Sequence, residues 1–171
     1  MKLFYRSFLV VTVLFVLGQC KGACQFAKVV GEVKEVTLWE GLPHQRFEAK
    51  VLKQELAKKT YFKIAGFPFY KEKLTFSKED LANLQALLQK EDNYSPSSFF
   101  PKSCGGFHPD FALEFEVEKV KYKALVCFGC NEVEVFEGSY RSTFDLQMPD
   151  VDKVKAILKK YSKNRPPTEL F

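Results

Sequence analysis

Phe111 to Leu146 reads FALEFEVEKVKYKALVCFGCNEVEVFEGSYRSTFDL, and its alternation decides the fold class. Phe111, Leu113, Phe115 and Val117 point one way, while Ala112, Glu114, Glu116 and Glu118 point the other. A period of two marks a strand with one face in a core. A second strand is predicted over Tyr122 to Phe128 and a third over Glu132 to Phe136. Gly138 begins a turn into a fourth, Tyr140 to Leu146. Links this short join antiparallel neighbours, so the stretch predicts a β-meander.

Helices flank it on both sides. Ser77 is a cap for a helix over Lys78–Glu91, with Asp80 completing a capping box and Phe76 and Leu81 at staple positions. Leu81, Leu84, Leu87 and Leu88 then share one face. Pro149 opens a second helix, to Tyr161, with Asp150 and Asp152 in its first turn and Lys159, Lys160 and Lys163 near its end. Its apolar stripe is Val151, Val154, Ile157, Leu158 and Tyr161.

The region before these is less regular. Gln25 to Lys59 reads as a strand pair or a weak helix around Val29, Val30, Val33, Val36 and Leu38, broken at Leu42-Pro43-His44, with helix-friendly residues after Phe47. Thr60 to Ile64 reads as strand, Gly66 and Pro68 as loop or bulge, and Lys73 to Phe76 as strand again. Tyr94 to Lys102 reads as loop. The expectation is a single α+β domain over 25–164, a mainly antiparallel meander with two or three helices packed on one face, and a C-terminal tail over 165–171.

Residues 1–23 have the plan of an export signal. Lys2 and Arg6 precede the apolar run Phe8 to Leu17, broken only by Thr12, and the small residues Gly18, Gly22 and Ala23 follow. The run is about half the ~20 residues that a membrane-spanning helix needs. Leu17-Gly18-Gln19-Cys20 resembles a bacterial lipobox, which would place a lipid on Cys20; cleavage without lipidation is the alternative. The expected location is exported: periplasm, outer surface, or lipid-anchored in the cell envelope.

Composition narrows the class. Of 171 residues, 46% are hydrophobic and 27% charged, ordinary for a globular domain and unlike a disordered or collagenous chain. Eighteen Phe and seven Tyr favour a packed, β-rich core. A formal charge of +5, about +3 without Lys2 and Arg6, gives no case for nucleic acid. A monomer is expected, meeting a membrane only through an N-terminal lipid.

The chemistry-bearing residues cluster around the meander. Cys104-Gly105-Gly106-Phe107-His108 stands before its first strand, and Cys127-Phe128-Gly129-Cys130-Asn131 lies between its second and third. A hairpin returns its end to where it began, so Cys104, Cys127 and Cys130 are expected in one site with His108 close by. One reading is a structural zinc site of Cys104, His108, Cys127 and Cys130, because Cys-x-x-Cys followed by a residue tolerant of the left-handed conformation resembles a zinc knuckle. The other is a disulfide among Cys104, Cys127 and Cys130, the default outcome in an oxidising compartment. A thiol redox or metal-dependent enzyme centred on Cys127 and Cys130 is the enzyme alternative. It lacks the helix start that lowers a thiol pKa, since the motif runs into the alternating Glu132-Val133-Glu134-Val135-Phe136.

Other catalytic patterns are weaker. His108-Pro109-Asp110 looks like the J-domain tripeptide but precedes a strand, so Pro109 is expected to set the strand start with Asp110 or His108 bonding loop backbone. The histidines are two, His44 and His108, and no Gly-x-Ser-x-Gly, phosphate loop or His-Glu-x-x-His occurs. Glu114, Glu116, Glu118, Glu132 and Glu134 read as solvated strand faces, and the lysines of the last helix as a solvated face.

From Cys104 to Phe136 the chain resembles a group of small, uncharacterised exported bacterial proteins, on Cys104, His108, Cys127, Phe128 and Cys130. The resemblance implies a shared site and carries no activity. The expected role is a non-enzymatic binding or structural module of the cell envelope.

Overall fold

A computed structural model gives the architecture; it describes residues 22–97, 102, 104–147 and 150–166. The stretch through residue 21 in which an export signal is expected, with Cys20, the residue Pro149 and the tail beyond residue 166 lie outside the described residues. In chain order the first elements are α1 (22–31), β1 (Val36–Glu40), α2 (Ala49–Ala57), β2 (Tyr61–Ile64), β3 (Phe67–Tyr70), β4 (Leu74–Thr75) and α3 (Lys78–Leu88). A single 3-10 turn at Glu91–Asn93 leads to β5 (Tyr94–Pro96). The meander is β6 (Phe111–Val117), β7 (Val120–Cys127), β8 (Glu132–Glu137) and β9 (Tyr140–Leu146), and α4 (Asp150–Lys159) follows.

The meander is the centre of a seven-stranded antiparallel sheet ordered β4-β1-β6-β7-β8-β9-β5. The fold is α+β, as the alternation predicts. Its register explains the period of two. Leu113 faces Ala124 across one pair, and Ala124 faces Val135 across the next, which sets apolar side chains on a common face. Phe111, Leu113, Phe115, Val126, Val133 and Phe144 bury this face against Phe26 of α1, Leu84 and Leu88 of α3, and Val154 and Leu158 of α4. Each such side chain contributes about 1.5–3 kcal/mol on burial.

The opposite face is covered by β2 and β3, a separate hairpin whose Ile64 and Phe69 pack on Ala112 and Leu125. Ala65 and Gly66, both at positive φ (50° and 92°), form its two-residue turn. The loop or bulge expected at Gly66 and Pro68 is thus a hairpin, with Pro68 opposite Lys63 in a two-stranded ladder. Beyond the hairpin an isolated bridge from Gly41 to Phe69 reaches β3, and the Leu42 amide donates to the Pro68 carbonyl at 3.1 Å, so Pro68 takes part as an acceptor and its missing N–H is tolerated.

The N-terminal region also resolves. Ala23, Phe26, Ala27 and Val30 recur at helical spacing and are all buried, so 22–31 is helix rather than strand. Gln85 of α3 donates from Nε2 to the carbonyls of Val30 (3.0 Å) and Val33 (2.7 Å), satisfying acceptors that the helix end leaves open. Val36 and Leu38 then belong to β1, which pairs with β6. Of the expected loop from Tyr94 onward, the first three residues form an edge strand against β9.

The Ser77 cap forms as expected, its Oγ accepting from the Asp80 amide at 3.0 Å. The reciprocal half of the box does not. The Ser77 amide donates instead to the Tyr161 hydroxyl (2.9 Å), and that hydroxyl donates to the Asp80 carboxylate (2.9 Å). Through Tyr161 the cap ties α3 to the segment after α4. Three glutamates depart from the solvated-face expectation: Glu132 is largely covered, accepting from Ser97 Oγ at 2.7 Å and pairing with Lys102 at 3.3 Å. Glu134 is buried and paired with Arg141, and Glu114 accepts from Trp39 Nε1 at 2.7 Å. Among the described residues, no helix is long and apolar enough to cross a membrane.

Candidate functional site

The antiparallel register brings Glu40 of β1, Phe111 of β6, Cys127 of β7 and Glu132 of β8 to the same end of the sheet. The chemistry-bearing residues gather there.

Cys104 and Cys130 form a disulfide, their Cα atoms 5.6 Å apart and 26 residues apart in sequence. It fastens the loop before β6 to the β7–β8 turn. Closing a loop of this length removes denatured-state entropy worth about 3 kcal/mol. Gly106, at φ +106°, gives the loop a backbone conformation closed to other residues, and Asn131 adopts the left-handed conformation (φ 53°) after the second cysteine.

Cys127 packs against the bridge as a buried free thiol. Burial pushes its pKa up to about 11, while the backbone amides of His108, Gly129 and Cys130 pull it down. The tetrahedral zinc set does not follow, because two of its three sulfurs are bonded to each other and the ring of His108 is engaged elsewhere. Among the described residues no group of three or more His, Cys, Asp or Glu side chains is arranged to hold a metal ion. The three cysteines do share one site; the disulfide joins the outer two.

His108 stands with its ring 4.7 Å from that of His44. Its Nε2 lies 2.8 Å from the Leu42 carbonyl, an acceptor only, so Nε2 carries the proton. His44 Nδ1 accepts from the Arg46 amide at 3.0 Å, which leaves the proton on its Nε2. That Nε2 is buried and has no acceptor at hydrogen-bonding distance, although the Gly106 carbonyl is near enough to favour protonation weakly. Burial holds both rings below the ordinary imidazole value, so they are neutral at pH 7.

Beneath them lies a buried ionic network. The Glu40 carboxylate accepts from Ser162 Oγ (2.5 Å) and from the amides of Lys163 (3.1 Å), Asn164 (2.7 Å) and Arg165 (3.1 Å). So held, the segment after α4 turns the Arg165 guanidinium inward. Arg165 Nη1 donates to Asp110 at 2.8 Å and Nη2 pairs with Glu48. Glu48 also accepts from the His44 amide (2.7 Å), and Asp110 from the Phe128 amide (2.6 Å). Burial raises the Asp110 carboxyl above its ordinary value, against the pull of Phe128 N–H and Arg165. The expectation that Asp110 or His108 bonds loop backbone holds for both side chains. Gly41 allows the fit: its amide donates to Asp110 O at 2.8 Å, and a Cβ there would lie 2.2 Å from Pro109 O.

Above the network is a cavity of about 370 Å³, walled by His44, Phe47, His108, Phe128, Lys155 and Lys159. Cys104 of the disulfide and the Arg165 network also border it. Phe47 is half exposed at its rim. Preformed hollows of this size suit small molecules.

Sequence reasoning missed Glu40, Glu48 and Arg165; it read the lysines of the last helix as a solvated face, and Lys159 is exposed while also bordering the cavity. Arg165 falls in the expected tail yet is buried. A faint signal exists at Glu40, an acidic residue ending the strand-like Val36-Thr37-Leu38-Trp39. No local pattern links it to residues 162–165. No family model matches the chain, and neither any curated protein nor any solved structure is significantly similar to it.

Proposed function

We propose that the protein is an exported, disulfide-stapled binding module without enzymatic activity, and that the cavity beside the Cys104–Cys130 bridge is its site. The observation that carries this reading is a hollow with preorganised walls. Its histidine rings are fixed in tautomer, and its floor is locked by Arg165, Asp110 and Glu48. Export is supported by the leader pattern of residues 1–23 and by a disulfide, which suits an oxidising location.

The redox alternative draws on the packing of Cys127 against the bridge. With its pKa near 11, only about one such thiol in ten thousand is ionised at pH 7. Attack on a disulfide needs the thiolate. The binding reading is therefore the stronger.

Titration of the ¹⁵N-labelled oxidised protein with indole, a neutral aromatic probe, tests it. Saturable shifts at the amides of Phe47, Phe128 and Gly129 are expected. Shifts that do not saturate, or that fall on the β6–β7 and β8–β9 turns instead, contradict the assignment. Mass analysis of the exported N-terminus reads the other half. A terminus at Gln19 or later supports export, and an intact Met1 contradicts it.

A further inference from the structure

We infer that export processing cuts the chain between Gly18 and Lys21, so that the mature protein begins at Gln19, Cys20 or Lys21 and keeps α1 whole. This rests on the export reading above and names its cleavage site. The bonds concerned lie outside the described residues, whereas the helix that limits them lies within. The step is hydrolysis of one peptide bond by a leader peptidase. Water supplies the hydroxyl of the leader's new carboxyl group and the hydrogen of the mature chain's new amine.

The first limit is in the sequence. A leader peptidase reads short side chains at the first and third places before the bond. Gly18 and Val16 stand there for a cut after Gly18, and Cys20 and Gly18 for a cut after Cys20. The lipobox reading gives a start at Cys20 itself. For a cut after Ala23 the third place holds Lys21, which is long and charged. A cut after Gly22 has Cys20 at that place, so the pattern alone leaves it open.

The second limit is α1, and it closes that option. Ala23 is 7% exposed and Phe26 2%, with the Phe26 ring 6.0 Å from that of Tyr94 and 5.6 Å from that of Phe144. Gln25 Nε2 donates to the Glu137 carboxylate at 3.0 Å. A Cβ on Gly22 would stand 2.6 Å from Ser142 Oγ, so the helix is seated on the sheet from its first residue. A cut after Gly22 would put a charged amine on buried Ala23, at the positive end of the helix dipole. A cut after Ala23 would also remove a core side chain. Starts at 19–21 leave the amine outside the seated helix. Because α1 begins beside Glu137 and Ser142, a lipid on Cys20 would attach the protein by the end opposite its cavity.

The intact mass of the protein exported by a bacterium expressing residues 1–171 tests this. A terminus at Gln19, Cys20 or Lys21 is expected, with or without added acyl mass on Cys20. A terminus at Gly22 or later overturns the site and leaves the export reading standing. An intact Met1, or any start before Gln19, overturns both. Lys21→Ala then separates the two limits. It gives the bond after Ala23 a short side chain at the third place, so some product starting at Cys24 is expected. That product should melt at least about 2 °C below the processed parent, having lost the seated start of α1. Absence of a Cys24 product overturns the role given to Lys21, and equal melting overturns the role given to α1.

Discussion

The two ends of the meander are built on opposite principles. At one end, β6 passes to β7 through Glu118 and Lys119, both at positive φ, and β8 passes to β9 through Gly138. These are local turns between neighbours in sequence, with Tyr140 exposed beside them. At the other end the β7–β8 turn is local, but the ties around it are long-range. Cys104 meets Cys130, Arg165 meets Asp110 and Glu48, and Glu40 holds residues 162–165. The first end closes the fold cheaply, whereas the second concentrates buried charge and long-range links around a hollow. Polar groups are buried in a small domain at a cost in stability, and here that cost falls where a binding site would need fixed walls.

The comparison is broken most severely at Arg165. Arg165→Met leaves Asp110 and Glu48 as buried carboxylates without their cation. A loss of about 3–5 kcal/mol is expected by chemical denaturation. A substitution of the exposed Lys119 at the other end should stay within about 0.5 kcal/mol. The next effect is the staple. Cys104→Ser and Cys130→Ser should each cost about 3 kcal/mol under oxidising conditions, and both should then be insensitive to reductant. If either variant matched the parent protein, the disulfide would not be holding this end.

The contrast also shows how much was legible in the sequence. The meander was, because alternation and turns are properties of adjacent residues: Phe111 to Val117 declares its buried face by itself. So was the α3 cap, since Ser77 and the Asp80 amide lie within one turn. The helix over 22–31 was obscured because Val29 and Val30 favour strand locally, and only packing of Ala23, Phe26, Ala27 and Val30 into the core decides for helix. In β3, Pro68 counted against a strand that is tolerated because the hairpin has two strands and Pro68 serves there through its carbonyl. Around the site, the cysteines could be gathered by topology. Their pairing could not, since Cys104 and Cys127 are equivalent candidates for Cys130 until the loop through Gly105 and Gly106 is placed. Arg165 had no signal at all, because its carboxylate partners are 55 and 117 residues away.

Acidity sharpens the comparison with a smaller effect. Burial holds His44 and His108 below the ordinary imidazole value of 6.5, so the unfolded chain takes up protons that the folded chain does not. Stability from this source is full above pH 6.5 and falls as pH drops through it toward the folded values. Asp110, raised by burial, slopes the other way, with stability falling as pH climbs from its ordinary value of 3.8. The histidine contribution is therefore isolated by comparing His108→Gln with the parent protein between about pH 7.5 and 5.5. The variant should show the shallower fall, and parallel curves would contradict the buried neutral imidazole. The smallest effect belongs to the far turn. Lys119→Gly relieves a left-handed side-chain residue and should gain about 0.5 kcal/mol, whereas Glu48→Gly at the site end can only lose.

The central claim is that the cysteine cluster is a closed staple beside a binding cavity, not a reactive or metal-holding centre. Alkylation with iodoacetamide before and after denaturation, followed by peptide mass mapping, tests it most directly. The account predicts a Cys104–Cys130 linked peptide, with Cys127 unmodified in the native protein and modified only after denaturation. A Cys127–Cys130 link, rapid native alkylation of Cys127, or three free thiols released together with zinc would contradict it.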